Sequence, residues 1–129
     1  MKKETERLWA SEKYTVMAKG YNFYKDIQGK MRDAETVKEY EAIEELISVY
    51  REEPFDTKAI INTFEHVWGY FKKSADEKEK EQFFSLLKEL KSSDTEKMES
   101  IPPNMMLFLQ DLLKKYPSDY LSRSTFIKK

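Results

Sequence analysis

No cysteine occurs among the 129 residues. That excludes disulfides, thiolate zinc sites, cysteine-ligated iron–sulfur clusters and cysteine nucleophiles within the chain. Glycine and proline are scarce, at three and four, so long uninterrupted elements with few tight turns are expected. No stretch approaches the ~18 consecutive apolar residues of a membrane span. The opening Met1-Lys2-Lys3-Glu4 is charged and lacks an apolar h-region, so no signal peptide is read and the cytoplasm is the expected compartment. The phosphate-cradling patterns GxxxxGK[ST] and GxGxxG are missing, and no serine elbow appears.

What remains is a charged helical composition. Hydrophobic residues make up 40% and charged residues 36%, with eight Phe, eight Tyr and two Trp. So many aromatics argue against disorder, and the length fits one domain over residues 1–129 with its own core. The net charge of −1 hides a segregation. Residues 33–56 hold nine acids against two bases, residues 1–32 hold eight bases against four acids, and residues 111–129 hold five bases against two acids. Such a pattern reads either as ordinary solvated helix faces or as a field that steers an anionic partner toward the basic ends.

The fold expected is all-α, a compact and mostly antiparallel bundle of five to seven helices. A first helix from about Glu4 to Lys19 stops at Gly20, with Ala10, Tyr14, Met17 and Tyr21 as an apolar stripe and Trp9 and Lys13 one turn apart on another side. A short second helix over Tyr21–Gln28 should end at Gly29. Asp33 is the candidate cap of a third, running to about Tyr50 before Pro54. Its apolar residues cover some two-thirds of the circumference, which predicts a central position. Asp56 caps a fourth helix, about Thr57–Lys73, and Ser74-Ala75-Asp76-Glu77 reads as a capping box opening a fifth. That fifth helix, to about Lys91, should bury Phe83, Phe84, Leu86, Leu87 and Leu90. Ser92–Ser100 is polar. Pro102-Pro103 starts a sixth helix that Pro117 ends, and Tyr120-Leu121 reads as a docking anchor in an otherwise polar tail.

One motif carries chemistry. On a helical projection of the fourth helix, Ile60, Ile61, Phe64, Val67, Trp68 and Phe71 share about a third of the circle, while Asn62, His66, Gly69, Tyr70 and Lys73 cluster opposite. Glycine inside a helix costs about 1 kcal/mol relative to alanine, so Gly69 wants a reason. Either it admits a crossing helix to which His66 hydrogen-bonds, or the face is a polar platform where His66, Asn62, Tyr70 and Lys73 hold a phosphate or a base edge. The only histidine has no carboxylate orienter, since Glu65 projects away, and no second strong ligand for a metal. No cofactor or metal site is therefore read. The carboxylate pairs Glu44-Glu45 and Glu52-Glu53 sit in solvated charge runs, and Met105-Met106 belongs to the core.

From about Trp9 to Phe126 the chain resembles the YbgA-like family, a bacterial helical domain of unknown function. Three blocks carry the resemblance: Trp9-Ala10-Ser11-Glu12-Lys13-Tyr14; Asn62 to Lys73, with H-x-x-G-Y-x-K at His66, Gly69, Tyr70 and Lys72; and Tyr116-Pro117-Ser118-Asp119-Tyr120-Leu121. Ser124 stands where relatives carry glutamine, Phe126 where they carry tyrosine, and Lys91-Ser92-Ser93 where an arginine–glycine pattern is common. Relatives are often fused to a desulfidase domain that acts on thiolated uracil compounds through an iron–sulfur cluster. The resemblance implies an accessory module that engages thiolated tRNA, or the desulfidase acting in trans.

Three functions stay open. The first is a non-catalytic RNA-binding or adaptor domain using Asn62, His66, Gly69, Tyr70 and Lys73, with Trp9 and Lys13 nearby. Lys58, Lys72, Lys114, Lys115 and Arg123 would extend its cationic track, and Trp9, Tyr70 or Tyr120 would supply stacking planes. The second is a protein-interaction module using the acidic 33–56 helix. The third is an enzyme with His66 as general acid or base.

Overall fold

A computed structural model describes residues 1–127. Seven helices and one short strand pair follow in the order α1 Lys2–Lys19, α2 Tyr21–Asp33, α3 Val37–Arg51, β1 Phe55–Asp56, α4 Thr57–Trp68, α5 Glu77–Lys91, β2 Lys97–Met98, α6 Pro103–Lys115 and α7 Asp119–Ser122. The all-α expectation holds.

The central element is α1, not α3. It packs against α2, α3 and α4, and its buried residues form two stripes: Thr5, Trp9, Glu12 and Val16, and beside them Tyr14, Met17 and Ala18. The first stripe faces α3, where the Thr5 hydroxyl lies 2.6 Å from Glu44 Oε2 and Glu12 Oε2 lies 2.5 Å from Arg51 Nε. Both partners advance by seven residues, so α1 and α3 run parallel. Between them in sequence α2 runs back antiparallel, with Tyr40 donating to the Ala34 carbonyl and Tyr50 to Asp26. Helix α3 buries only Tyr40, Ile43 and Ile47, and Val37 and Val49 stay exposed.

Local chemistry explains the shifted boundaries. Gly20 links α1 to α2 in an extended conformation, φ 177°, and a Cβ there would come within 2.8 Å of Asn22 Oδ1. Gly29 does not end α2, because its backbone is helical and the flanking Ile27 and Met31 both reach the core. Thr36, rather than Asp33, caps α3. Its hydroxyl accepts from the Glu39 N–H while the Glu39 carboxylate accepts from the Thr36 N–H, a reciprocal box that two orphan donors favour. The same box opens α5 two residues later than expected, from Asp76 and Glu79 in place of Ser74 and Glu77.

Asp56 caps α4 as expected, accepting from the Ala59 N–H. The antiparallel pairs Phe55–Met98 and Asp56–Lys97 tie the polar 92–100 stretch to this end of α4. Two-residue strands lie below any alternation visible in sequence. Ile60, Phe64, Val67, Trp68 and Phe71 are buried, and Trp68 stacks on Phe83 of α5 at 4.3 Å between centroids. Phe84 is the exception on α5. It is exposed and meets only the edge of Phe83.

The tail after α7 is not merely polar. Ser124, Phe126 and Ile127 are buried, and the segment crosses α1, with the Thr125 N–H donating to the Ser11 carbonyl at 2.8 Å and its hydroxyl 2.7 Å from that of Thr15. Gln110 of α6 donates to the Ile127 carbonyl. Ser124 and Phe126 are thus packing residues. Phe126→Ala should lower stability by about 3–5 kcal/mol in urea unfolding, the usual range for a buried phenylalanine. Gly29→Ala should raise it by about 0.5–1 kcal/mol, since the backbone is already helical and the added Cβ meets nothing nearer than Arg32 at 4.0 Å.

Candidate functional site

Four tyrosines and a lysine from four separate elements meet at one place on the surface. Lys13 of α1 holds its ammonium 5.6 Å from the Tyr14 ring, 5.9 Å from Tyr24 of α2 and 5.8 Å from Tyr120 of α7. Tyr70, just past α4, stands edge-on to Tyr14 with centroids 6.4 Å apart and lies 6.0 Å from Tyr120. Its hydroxyl is 3.1 Å from that of Tyr14. Tyr14 is buried, Lys13 and Tyr120 are half-buried, and Tyr70 is 43% exposed. The result is a cation set over three ring faces beside the exposed Tyr70, the arrangement that ring quadrupoles favour.

Each member is placed by a different local cause. Tyr14 and Lys13 sit where α1 passes under the tail. Tyr120 is fixed by α7, whose cap Ser118 accepts from the Leu121 N–H, and by the fully buried Leu121. Tyr70 is aimed by a tightened helix end, where Gly69, Tyr70 and Phe71 donate to carbonyls three residues back. Burial, then the bond to Tyr70, pushes the Tyr14 phenol well above its ordinary value of 10.0. Burial also raises Tyr120. Both phenols are therefore neutral over the physiological range.

The sequence model of a family described as protein of unknown function, DUF1722, matches residues 13–129. The chain belongs to the DUF1722 family. No curated protein and no solved structure matches it. All five site residues lie inside the matched DUF1722 span, and Trp9 lies just before it.

The structure brings together Lys13, Tyr70 and Tyr120 of the residues named from the sequence. Trp9 is a different case: it is 9% exposed and stacked on Tyr24 at 5.9 Å, so it supports the cluster from below and offers no free plane. His66 and Lys73 are exposed and Asn62 is half-buried. Among the described residues no hydrogen bond reaches any of these three side chains. Gly69 is also exposed, and a Cβ on it would approach only the His66 carbonyl, at 3.1 Å. No crossing helix occupies that position. The projection that put all five on one face assumed a regular helix to Lys73. The regular helix ends at Trp68 and gives way to turns in which Gly69, Tyr70 and Phe71 bond three residues back, so a projection at 100° per residue does not extend to Tyr70 and Lys73.

Two members were missed as site residues. Tyr14 reads as core in any helical projection, and only its hydroxyl reaches the site. Tyr24 carries no sequence signal. The cationic track is also shorter than anticipated, because Lys115 pairs with Glu79 and Asp76 at 3.2 and 3.5 Å and Lys58 lies at the far end of α4. Lys72, Lys73 and Arg123 are exposed beside the cluster members Tyr70 and Tyr120 in sequence.

The raised Tyr14 value fixes a pH dependence. Above pH 10 the unfolded chain releases this proton while the native state keeps it, so the contribution of the neutral phenol, complete below pH 10, is lost as pH rises. The stability difference between wild type and Tyr14→Phe should stay constant from pH 7 to 9. It should then shift against the wild type by up to about 1.4 kcal/mol per pH unit above 10, measured by urea unfolding.

Proposed function

We propose that this chain is a non-catalytic accessory domain of the YbgA-like kind that binds RNA through the Lys13–tyrosine cluster. The observation that carries the reading is the Lys13 ammonium held among Tyr14, Tyr24 and Tyr120 beside the half-exposed Tyr70 ring. Recognition of single-stranded bases needs aromatic planes for stacking and cations for the backbone, and this patch supplies both. Tyr70 and Tyr120 present the planes. Lys13 supplies a cation at their centre, with Lys72, Lys73 and Arg123 available to phosphates around it.

Charge supports the same face. The cluster draws Lys13 from the basic segment 1–32 and Tyr120 from the basic segment 111–129, which favours an anionic ligand there. The pI near 6.0 makes the binding modest and strongly dependent on salt. His66, unbonded and exposed, offers a further contact to a base edge. It is disfavoured as a general acid or base because no carboxylate orients it.

The substrate class follows from the family resemblance: thiolated tRNA, presented to an iron–sulfur desulfidase acting in trans. A thiocarbonyl sulfur is polarizable and makes favourable contacts with aromatic edges, which the edge-on Tyr14–Tyr70–Tyr120 arrangement offers. The chain itself has no thiolate to hold a cluster.

Titration of the full chain with bulk tRNA, followed by fluorescence anisotropy, tests this. Saturable binding is expected at about 50 mM salt, weakening by about 10- to 50-fold at 200 mM for roughly three phosphate contacts. Tyr70→Ala should weaken it by about 5- to 100-fold, as the loss of one stacked base would. Thiolated tRNA should bind more tightly than its unmodified counterpart. Absence of saturable binding at low salt, or wild-type affinity retained by both Tyr70→Ala and Lys13→Ala, overturns the reading.

A further inference from the structure

Helix α3 carries more apolar surface than the core uses. Ile43 is buried, Leu46 half-buried, and Ala42 and Val49 exposed. Together with Gly29 of the antiparallel α2 they floor a groove of about 740 Å³. Gly29 has no internal reason to be glycine. Its backbone is helical, no core atom crowds the position, and the substitution from alanine costs about 1 kcal/mol in a helix. A backbone arriving from outside would give it one, because the missing side chain lets a second helix approach closely.

The rim selects what can arrive. Asp26, Asp33, Glu39 and Glu45 line the groove against Lys25 and Lys30. Lys30 pairs with Asp26, Arg32 with the exposed Asp33, and Glu39 closes the α3 cap, so the rim keeps an acidic excess with Glu45 as its exposed carboxylate. Beyond the rim α3 adds the exposed Glu41 against Lys38, and its C-cap adds the exposed Glu52. A nucleic acid is repelled here. A second copy seated symmetrically would set this acidic face against itself, since a two-fold interface pairs a patch with its own image. From Ala42 to Val49 the floor covers about 10 Å at 1.5 Å per residue, two helical turns, which accommodates two or three apolar side chains spaced i, i+3 or i+4, i+7.

We propose that the α2–α3 groove docks a short amphipathic helix of a partner protein whose apolar stripe is flanked by lysine or arginine. Apolar side chains fill the floor over Ala42, Leu46 and Val49, the partner's backbone approaches over Gly29, and its cations face Glu45 and Asp33. The groove shares no residue with the Lys13 cluster, so a partner and an RNA can be held at once.

The probe is a fluorescent helical peptide of about 14 residues with leucine at the stripe positions and lysine on the flanks, titrated against the full chain. Two controls keep the length and replace either lysine by glutamate or leucine by serine. The leucine–lysine peptide should bind at least 10-fold tighter than both controls. Amide shift changes should be confined to α2 and α3. The exposed double variant Ala42→Lys/Glu45→Lys should lose at least 10-fold, and Glu45→Gln about 2- to 4-fold. Equal binding of the serine control reduces the groove to a diffuse acidic surface and overturns the proposal, as does undiminished binding to the folded double variant. Sedimentation showing a dimer that the peptide must displace would give the groove to a second copy, and also overturns it.

Discussion

Burial of α1 on two sides is the constraint from which the rest follows. One stripe must satisfy α3 and the other must satisfy α4 and the tail, so this helix carries groups that an ordinary amphipathic helix would keep in water. Glu12 is the clearest case. It is 2% exposed and its Oε2 lies 2.5 Å from Arg51 Nε, yet off the N–H direction, so the contact is an ion pair without a hydrogen bond. A carboxylate taken from water needs its partner more than the partner needs it, and Arg51 stays half exposed. The pair fixes the register of α1 against α3, with Thr5 and Glu44 setting the same register two turns earlier.

That double role is also why α4 to α6 were legible in the sequence while the place of α1 was not. Helices with one apolar face, α4, α5 and α6, were legible in position and in most of their buried residues, because one stripe at period 3.6 is a strong signal. Helix α1 has buried threonine, glutamate and alanine spread around its circumference. It therefore gave no single strong stripe, while α3, with Val37, Ala42 and Val49 that the core does not use, looked central. The boundary errors have a common form. Asp33 and Ser74 are plausible caps, but Thr36 with Glu39 and Asp76 with Glu79 satisfy two donors each, and the reciprocal arrangement wins.

The candidate site was half legible for a related reason. Its members lie at positions 13, 14, 24, 70 and 120, and no local period connects them. The blocks around Lys13, Tyr70 and Tyr120 could be marked separately, yet their meeting depends on the tail crossing α1. Charge segregation, by contrast, was visible from composition and maps onto the folded surface. The basic ends contribute to the tyrosine cluster, and the acidic middle becomes the outer face of α3 and the rim of its groove. One small domain thus offers two surfaces of opposite electrostatic preference.

The bond from Thr125 to Ser11 spans 114 residues, and contacts this distant along the chain are entropically the slowest to form. Helices α1 to α6 can therefore collapse first, and the aromatic cluster closes only when the tail has crossed α1. Proteolytic loss of the segment after Leu121 would remove the Thr125 clamp and leave a largely helical molecule in which Tyr120 is no longer pinned over the lysine.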